Sequence, residues 1–462
     1  MTRAFALVVA LLIATVPALG QGGEPSEAGG AIVKKVLDNG LTVIIKPETG
    51  SGLVAIVAVV RVGAAEESIQ NAGIGNFVAN LILTSTRASS AERIAAIADE
   101  VGGNIAAQWN PDFTDIRAVT TSARFNEAMS LVGECLTQAN FEAKWVEQVR
   151  SELLREFESD AESLFERAYD DLRGLLYEDS GYSRPRIGYE RTIRVATPKD
   201  LRKFYSMYYV PNNVVISIVG DVTVEHAIDR VKKAYAGLRG SRLPINRGMP
   251  DEKLERSKFH AEEAELAQAY LMVGWQAPGV GSPDFPAMAV AANALGGGKG
   301  SIMFREIRQS RGLYDLGTMY PRHKHQSHVL AYVFIPDPYR TSFPELTPML
   351  VLEDVKSAVV EQVNKLRDEP LSDKDLQRAK GYTIGTHALQ HQHMFDRAFY
   401  LAWLEAIGVG HEFDKRFADE VEKVTAEDVQ RVARKYFTNY AAVLLLPRTT
   451  SPEAGTFAGS GG

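Results

Sequence analysis

The stretch NAGIGNFVANLILTST, residues 71–86, places Asn76, Ala79 and Asn80 on one face of an amphipathic helix entered through glycines. Positions i and i+4 lie one turn apart on such a face, with i+3 between them. Imidazoles at the outer two positions and a carboxylate at the inner one could hold a divalent metal and activate water on it. Here the face carries two neutral amides and a methyl group. An amide oxygen is a poor zinc ligand beside imidazole, and alanine cannot take a proton. Asn76 and Asn80 therefore read as polar residues lining a wet cleft or capping the helix entry. Six of the nine histidines fall in two other clusters. His387 and His391 stand at i and i+4 on an expected helix, with His393 just off that face. His323, His325 and His328 lie in RHKHQSHVL, where His323 and His325 would share a strand face. A helical His pair at this spacing can bind zinc, but neither cluster has a carboxylate beside it in the order a hydrolase needs. A solvated polar face is the expectation for both, with a structural or adventitious metal as the open alternative.

The chain that must position these groups has 462 residues, 45% of them hydrophobic, which is enough for two cores. Charged residues make up 24% and the net charge is −7, a balance that argues against a nucleic-acid partner. LGGGKGS around Lys299 lacks the Ser or Thr that a phosphate loop needs directly after its Gly-Lys, so nucleotide binding is not expected. Cys135 is the only cysteine and excludes an internal disulfide; its apolar helical setting marks it as a small buried hydrophobe. Arg3 followed by AFALVVALLIATVPALG has the basic start, short apolar core and small-residue end of a secretory signal peptide, with no membrane span left after cleavage. The resulting expectation is export, to a periplasmic or extracellular location.

Along the chain, VLDNGLTVIIKPET and LVAIVAVVRVG read as strands, and SSAERIAAIADEVG as a helix capped by Ser90. NIAAQWNPDFTDIRAVTT reads as two strands around NPD. TPKDLRKFYSMYYVPNNVVISIVGDV (197–222) parallels TAEDVQRVARKYFTNYAAVLLLP (425–447): each has a Thr-x-x-Asp helix start, aromatics at the helix end and an apolar strand. A repeat at the end of each half predicts an internal duplication. The fold class expected is α+β, with two homologous domains, each a mostly antiparallel sheet with helices packed on one face. The boundaries expected are a signal peptide at 1–20, a flexible leader at 21–30, domains at 31–236 and 258–448 joined by a linker at 237–257, and a disordered tail at 449–462.

LDNGLTVII, the glycine-led helix, GYERTIRVATPKDLRKFYSMYYVPNNVVISIVGDV and ALGGGKGSIMFREIRQSRGL together resemble the M16 (pitrilysin, insulinase-like) metallopeptidase family over nearly all of residues 31–448. The family's His-x-x-Glu-His motif falls on Asn76, Ala79 and Asn80, and its glutamate ligand on a later helix falls near Leu153, flanked by Glu152 and Glu156. The resemblance thus implies a degenerate site, with no catalytic residue and no family zinc bound. The family's substrate-holding Arg and Tyr, seven apart, correspond to Arg308 and, one residue early, to Tyr314; Asp315 stands at the seventh place. The glycine-rich loop would be a flexible connection able to approach a peptide or another subunit. The family edge strand that an extended peptide can join falls near GGNIAAQW, where small Ala106 and Ala107 would admit a backbone.

A two-domain member is half of a peptide-enclosing clamshell. The resemblance therefore implies a catalytically inactive subunit that binds peptide and pairs with a zinc-bearing homologue as a heterodimer, or with itself as a homodimer. An active metallopeptidase using an unrecognised site, and a purely structural role like that of the related core subunits of respiratory complexes, remain the alternatives.

Overall fold

The computed structural model describes residues 30–102, 105–244, 252–264, 266, 268–310, 315–335 and 348–447. The expected signal peptide, almost all of the leader, the tail and Tyr314 lie outside the described residues. Among the described residues, no helix is long and apolar enough to cross a membrane.

Strands β1 (Val33–Val36), β2 (Thr42–Pro47), β3 (Leu53–Val60), β4 (Ile105–Trp109), β5 (Thr114–Thr121) and β6 (Val214–Gly220) form one sheet in the order β1-β2-β6-β3-β5-β4. Among the described residues of this sheet, only β2 and β6 run parallel. Strands β7 (Lys258–Ala264), β8 (Ala269–Ala277), β9 (Asp315–Met319), β10 (Ser327–Ile335) and β11 (Tyr440–Pro447) form a second sheet in the order β7-β11-β8-β10-β9, with β7 and β11 parallel. Each sheet thus inserts its last strand between two strands consecutive in sequence, β6 between β2 and β3 and β11 between β7 and β8. This shared topology is the duplication that the repeated Thr-x-x-Asp segments signal. Both segments form the expected capping box: the hydroxyls of Thr197 and Thr425 accept from the amides of Asp200 and Asp428, whose carboxylates accept in return.

The apolar run of β3 is buried on both faces, which is why it shows no polar alternation. Val54, Ile56, Ala58 and Val60 enter the core beneath the first half's own helices. Ala55, Val57 and Val59 point the opposite way, into a core shared with the second half. That opposite face is covered by the helix Met394–Ala406, a second-half element, where Phe399 and Trp403 pack on Phe113. The exchange is reciprocal. The first-half helix Leu164–Leu176 lays Ala168, Leu172 and Leu176 on Tyr270, Met272, Leu330, Val443 and Leu445 of the second sheet. Each sheet therefore carries its own helices on one face and a helix from the other half on the other.

Polar contacts seal the exchange. Arg397 pairs with Glu48 at 2.8 Å and Lys34 with Glu405 at 2.5 Å. The amide of Lys324 and the Tyr182 hydroxyl both donate to buried Asp112, and the Tyr177 hydroxyl meets His328 Nδ1 at 3.0 Å. Cys135 is buried in the helix Phe125–Gln138, where desolvation pushes its thiol up to about 12.

Candidate functional site

The glycine-led stretch forms the helix Ile74–Leu81, with Gly73 as N-cap at φ 106°, a left-handed conformation that suits glycine. The asparagines do not cap it. Glu67 does: its carboxylate accepts from the Gly73 amide at 2.8 Å and the Gly75 amide at 2.6 Å, at the positive end of the helix. Burial pushes the Glu67 carboxyl up to about 7, against the lowering effect of those two amides and of Arg184. Only an acidic residue shortly before a glycine-led helix hinted at this in the sequence, because the fold-back of residues 63–73 brings Glu67 to its place.

Asn76 and Asn80 do stand one turn apart, with Ala79 buried beside them. Asn76 is buried, its Nδ2 3.5 Å from the Ile187 carbonyl, rather than lining open water. Asn80 is exposed and donates through Nδ2 to the Asn76 backbone carbonyl at 2.9 Å and to Asn76 Oδ1 at 3.1 Å. Asn76 Oδ1 thereby already spends one of its lone pairs on Asn80. At the later helix Ala143–Glu162, Leu153 points into the core, Glu152 is bonded to Gln148 and Glu156 to Arg186. Two bonded amides, a methyl group and a leucine do not fit a zinc ion.

The helix keeps its setting. Gly75 presses on Trp109 of β4 so closely that a Cβ there would stand 2.0 Å from the indole. Among the described residues, β4 pairs only with β5 and forms the edge of its sheet. Its Ala107 faces the first core, while Ala106 lies opposite Arg117. Past this edge, Gln108, Asn110 and Arg117 face Gln390, Phe395, Phe399 and Tyr400 across a cleft of ≈ 300 Å³ between the halves. Arg308 lies on the π-helical turn Phe304–Gln309 rather than on a strand, its guanidinium 4.7 Å from the Phe304 ring centre. The glycine-rich loop is tied down rather than free: Arg378 donates to the carbonyls of Asn293, Ala294 and Gly297, and Arg305 to that of Gly300.

Neither histidine cluster is a solvated face. His323 and His325 precede β10 and share no strand face. His323 is buried, stacked on Tyr182 at 4.5 Å and 3.5 Å from Asp112 Oδ2. His328 is fully buried between the hydroxyls of Tyr177 and Tyr169, and desolvation holds it neutral. His387 lies on the helix Asp373–Leu389, and His391, in the turn just past its end, still sits over it. Both meet Asp414 of the helix Phe413–Lys423. Asp414, 23 residues beyond His391 and on another helix, carried no signal in the sequence.

Residues 42–188 match the insulinase family (peptidase family M16), and residues 196–382 match the peptidase M16 inactive domain. The chain belongs to the M16 peptidase family. In this M16 protein the two matches divide between residues 188 and 196, whereas the first sheet extends to β6 and the second begins at Lys258. An uncharacterised zinc protease of Bacillus subtilis is 22% identical over 91% of the chain and all of its own length. One from Mycobacterium tuberculosis is 25% identical over 92% of the chain and 95% of its own. A protease from Helicobacter pylori shares the fold with a TM-score of 0.82 at 21% identity, covering 90% of this chain and 99% of that one. A peptidase M16 inactive domain from Pseudomonas fluorescens does so at 0.80 and 18%, covering 90% and 98%. A chain of complex III from Candida albicans does so at 0.75 and 15%, covering 90% and 96%.

Proposed function

We propose that this chain is an exported, non-hydrolytic M16 subunit that pairs with a zinc-bearing homologue, closes a peptide-enclosing chamber and helps to hold the peptide. One observation carries the reading: the helix Ile74–Leu81 stands beside the open edge of β4, yet its metal-facing positions are two amides bonded to each other and a buried methyl group. No family zinc is held there, so no water is activated on it. An extended peptide can still add main-chain hydrogen bonds along β4 beside Ala106 and Ala107. Arg308 with Tyr314 is the further candidate contact for peptide. Export rests on the basic and apolar N-terminus. A homodimer is the alternative assembly.

A structural role is the second reading, favoured by the fold shared with the complex III chain. Two-chain expression separates the readings. Purified alone, the protein should leave unfolded peptides intact. Co-expressed with zinc-bearing M16 homologues from the same cell, it should co-purify in equal amounts with one of them and raise its peptide cleavage. Cleavage by the chain alone overturns the proposal. Failure to bind any such homologue favours the alternative assembly if a homodimer is recovered, and the structural reading if a non-proteolytic complex is recovered.

A further inference from the structure

Away from the helix Ile74–Leu81, the second half gathers a different set of donors. His387 Nε2 lies 3.2 Å from Asp414 Oδ1, and His391 Nε2 lies 2.9 Å from Asp414 Oδ2. One ligand atom from each of the three lies within 4.8 Å of the others. Four ligands around a tetrahedral zinc, each about 2.0–2.1 Å from it, stand about 3.3 Å apart, so the two His–Asp separations already match the edges of such a shell, and the two imidazoles need only close on the ion. The side chains are only 11–18% exposed, enough for an ion to enter and too little for bulk water to compete freely.

The second layer holds the His391 ring in the orientation a metal needs. A carbonyl oxygen can only accept, so His391 Nδ1, 2.7 Å from the His387 carbonyl, carries a proton and donates it there. Its Nε2 is thereby left facing the carboxylate, the usual arrangement of a metal-ligating histidine whose other nitrogen is bonded to the protein. In a neutral ring this Nε2 lone pair confronts a carboxylate that also only accepts. Two acceptors at 2.9 Å require a positive centre between them, a proton or a metal ion. His391 stacks on Tyr400 at 4.3 Å, and His387 packs on Phe417 at 4.8 Å. Arg322 approaches the Tyr400 and Phe417 rings from outside at 5.7 Å, a competing positive charge that the Asp414 carboxylate offsets.

We propose that His387, His391 and Asp414 form a divalent transition-metal site of the zinc class, with water completing the shell, that ties the end of the helix Asp373–Leu389 to the helix Phe413–Lys423. Two imidazoles and one carboxylate are a donor set suited to such metals and poorly suited to calcium or magnesium. Tyr400, held against His391, also lines the cleft beside Gln108 of β4, so the ion fixes one wall of that cleft. The site is independent of the proposed pairing with a zinc-bearing homologue, and either can fail without the other.

The test uses the untagged full chain, stripped with a chelator and titrated with zinc by calorimetry and with cobalt by visible absorption. One equivalent per chain should bind, with tetrahedral cobalt bands and a raised Tm. His391→Ala and His387→Ala should each weaken zinc binding by more than the about 10–100-fold that follows loss of an outer partner. Asp414→Asn, which keeps the side-chain shape, should do the same and abolish the zinc-dependent rise in Tm, so a poorly folding histidine variant leaves the result readable. Asn76→Ala and His260→Ala should leave zinc binding unchanged; the latter removes the other grouping of donors among the described residues, Asp171, His260 and Glu262. Absence of binding at micromolar zinc, or binding that survives Asp414→Asn, overturns the site and leaves a proton as the positive centre between His391 and Asp414.

Discussion

At the scale of single residues, the helix that would bear the family's chemistry is held by a buried carboxylate, and this gives it a pH signature. Glu67 and Glu66 are both pushed up to about 7, chiefly by burial. A carboxyl whose folded pKa is raised binds its proton more tightly in the folded state, so its contribution is complete below the unfolded value. That contribution is lost as pH rises through the folded one. The two glutamates should therefore lower stability progressively between about pH 4.5 and 7. Glu67→Gln should flatten part of that slope. It should also cost about 1–3 kcal/mol, because one of the two glycine amides then faces an NH2 group instead of an acceptor. Urea midpoints at pH 5 and pH 8 for the two proteins check both statements; an unchanged slope would show that Glu67 does not titrate in this range. The side-chain chemistry of Asn76, Ala79 and Asn80, two amides and a methyl group on one helix face, was legible at residue scale. Glu67 and Asp414 were not, because both reach their partners through chain reversals that local patterns do not encode.

At the scale of elements, the helix Ile74–Leu81 and the edge strand β4 form one packing unit through Gly75 and Trp109. Gly75→Ala should displace the indole and cost about 1–3 kcal/mol, the range for overpacking a filled core. A shifted tryptophan emission and a lowered Tm would register it, whereas a silent Gly75→Ala would mean that β4 moves freely. Other elements were readable because their signals are local. Ser90 accepts from the Arg93 amide, the helix Phe285–Gly296 ends at its glycine, and β4 and β5 close around Asn110 and Phe113. The π-helical turn carrying Arg308 was not readable, for its hydrogen bonding differs from that of an α-helix without any change in sequence pattern.

At the scale of the whole molecule, the reciprocal helices make the two halves one folding unit. Leu172 is fully buried where the first-half helix meets the second sheet, and a Cβ on Gly274 would stand 2.9 Å from its Cδ2. Leu172→Ala should cost about 2–5 kcal/mol and lower a single unfolding transition by circular dichroism rather than one of two. Residues 30–236 and 252–447 expressed separately should each fail to fold, since each exposes a sheet face that the other half covers. Two independent transitions in the full chain would refute this coupling.

The sequence by itself determined the duplicated α+β architecture and a helix face at Asn76, Ala79 and Asn80 with neither imidazole nor carboxylate. Strand periodicity, capping boxes and side-chain chemistry are properties of a few neighbouring residues. Only the tertiary structure decided which helix covers which sheet face, that the asparagine amides bond to each other, and that Asp414 meets His387 and His391. The double-sided burial of β3 shows the reason. An apolar run reports that both faces are covered, but it does not record which distant segment covers them.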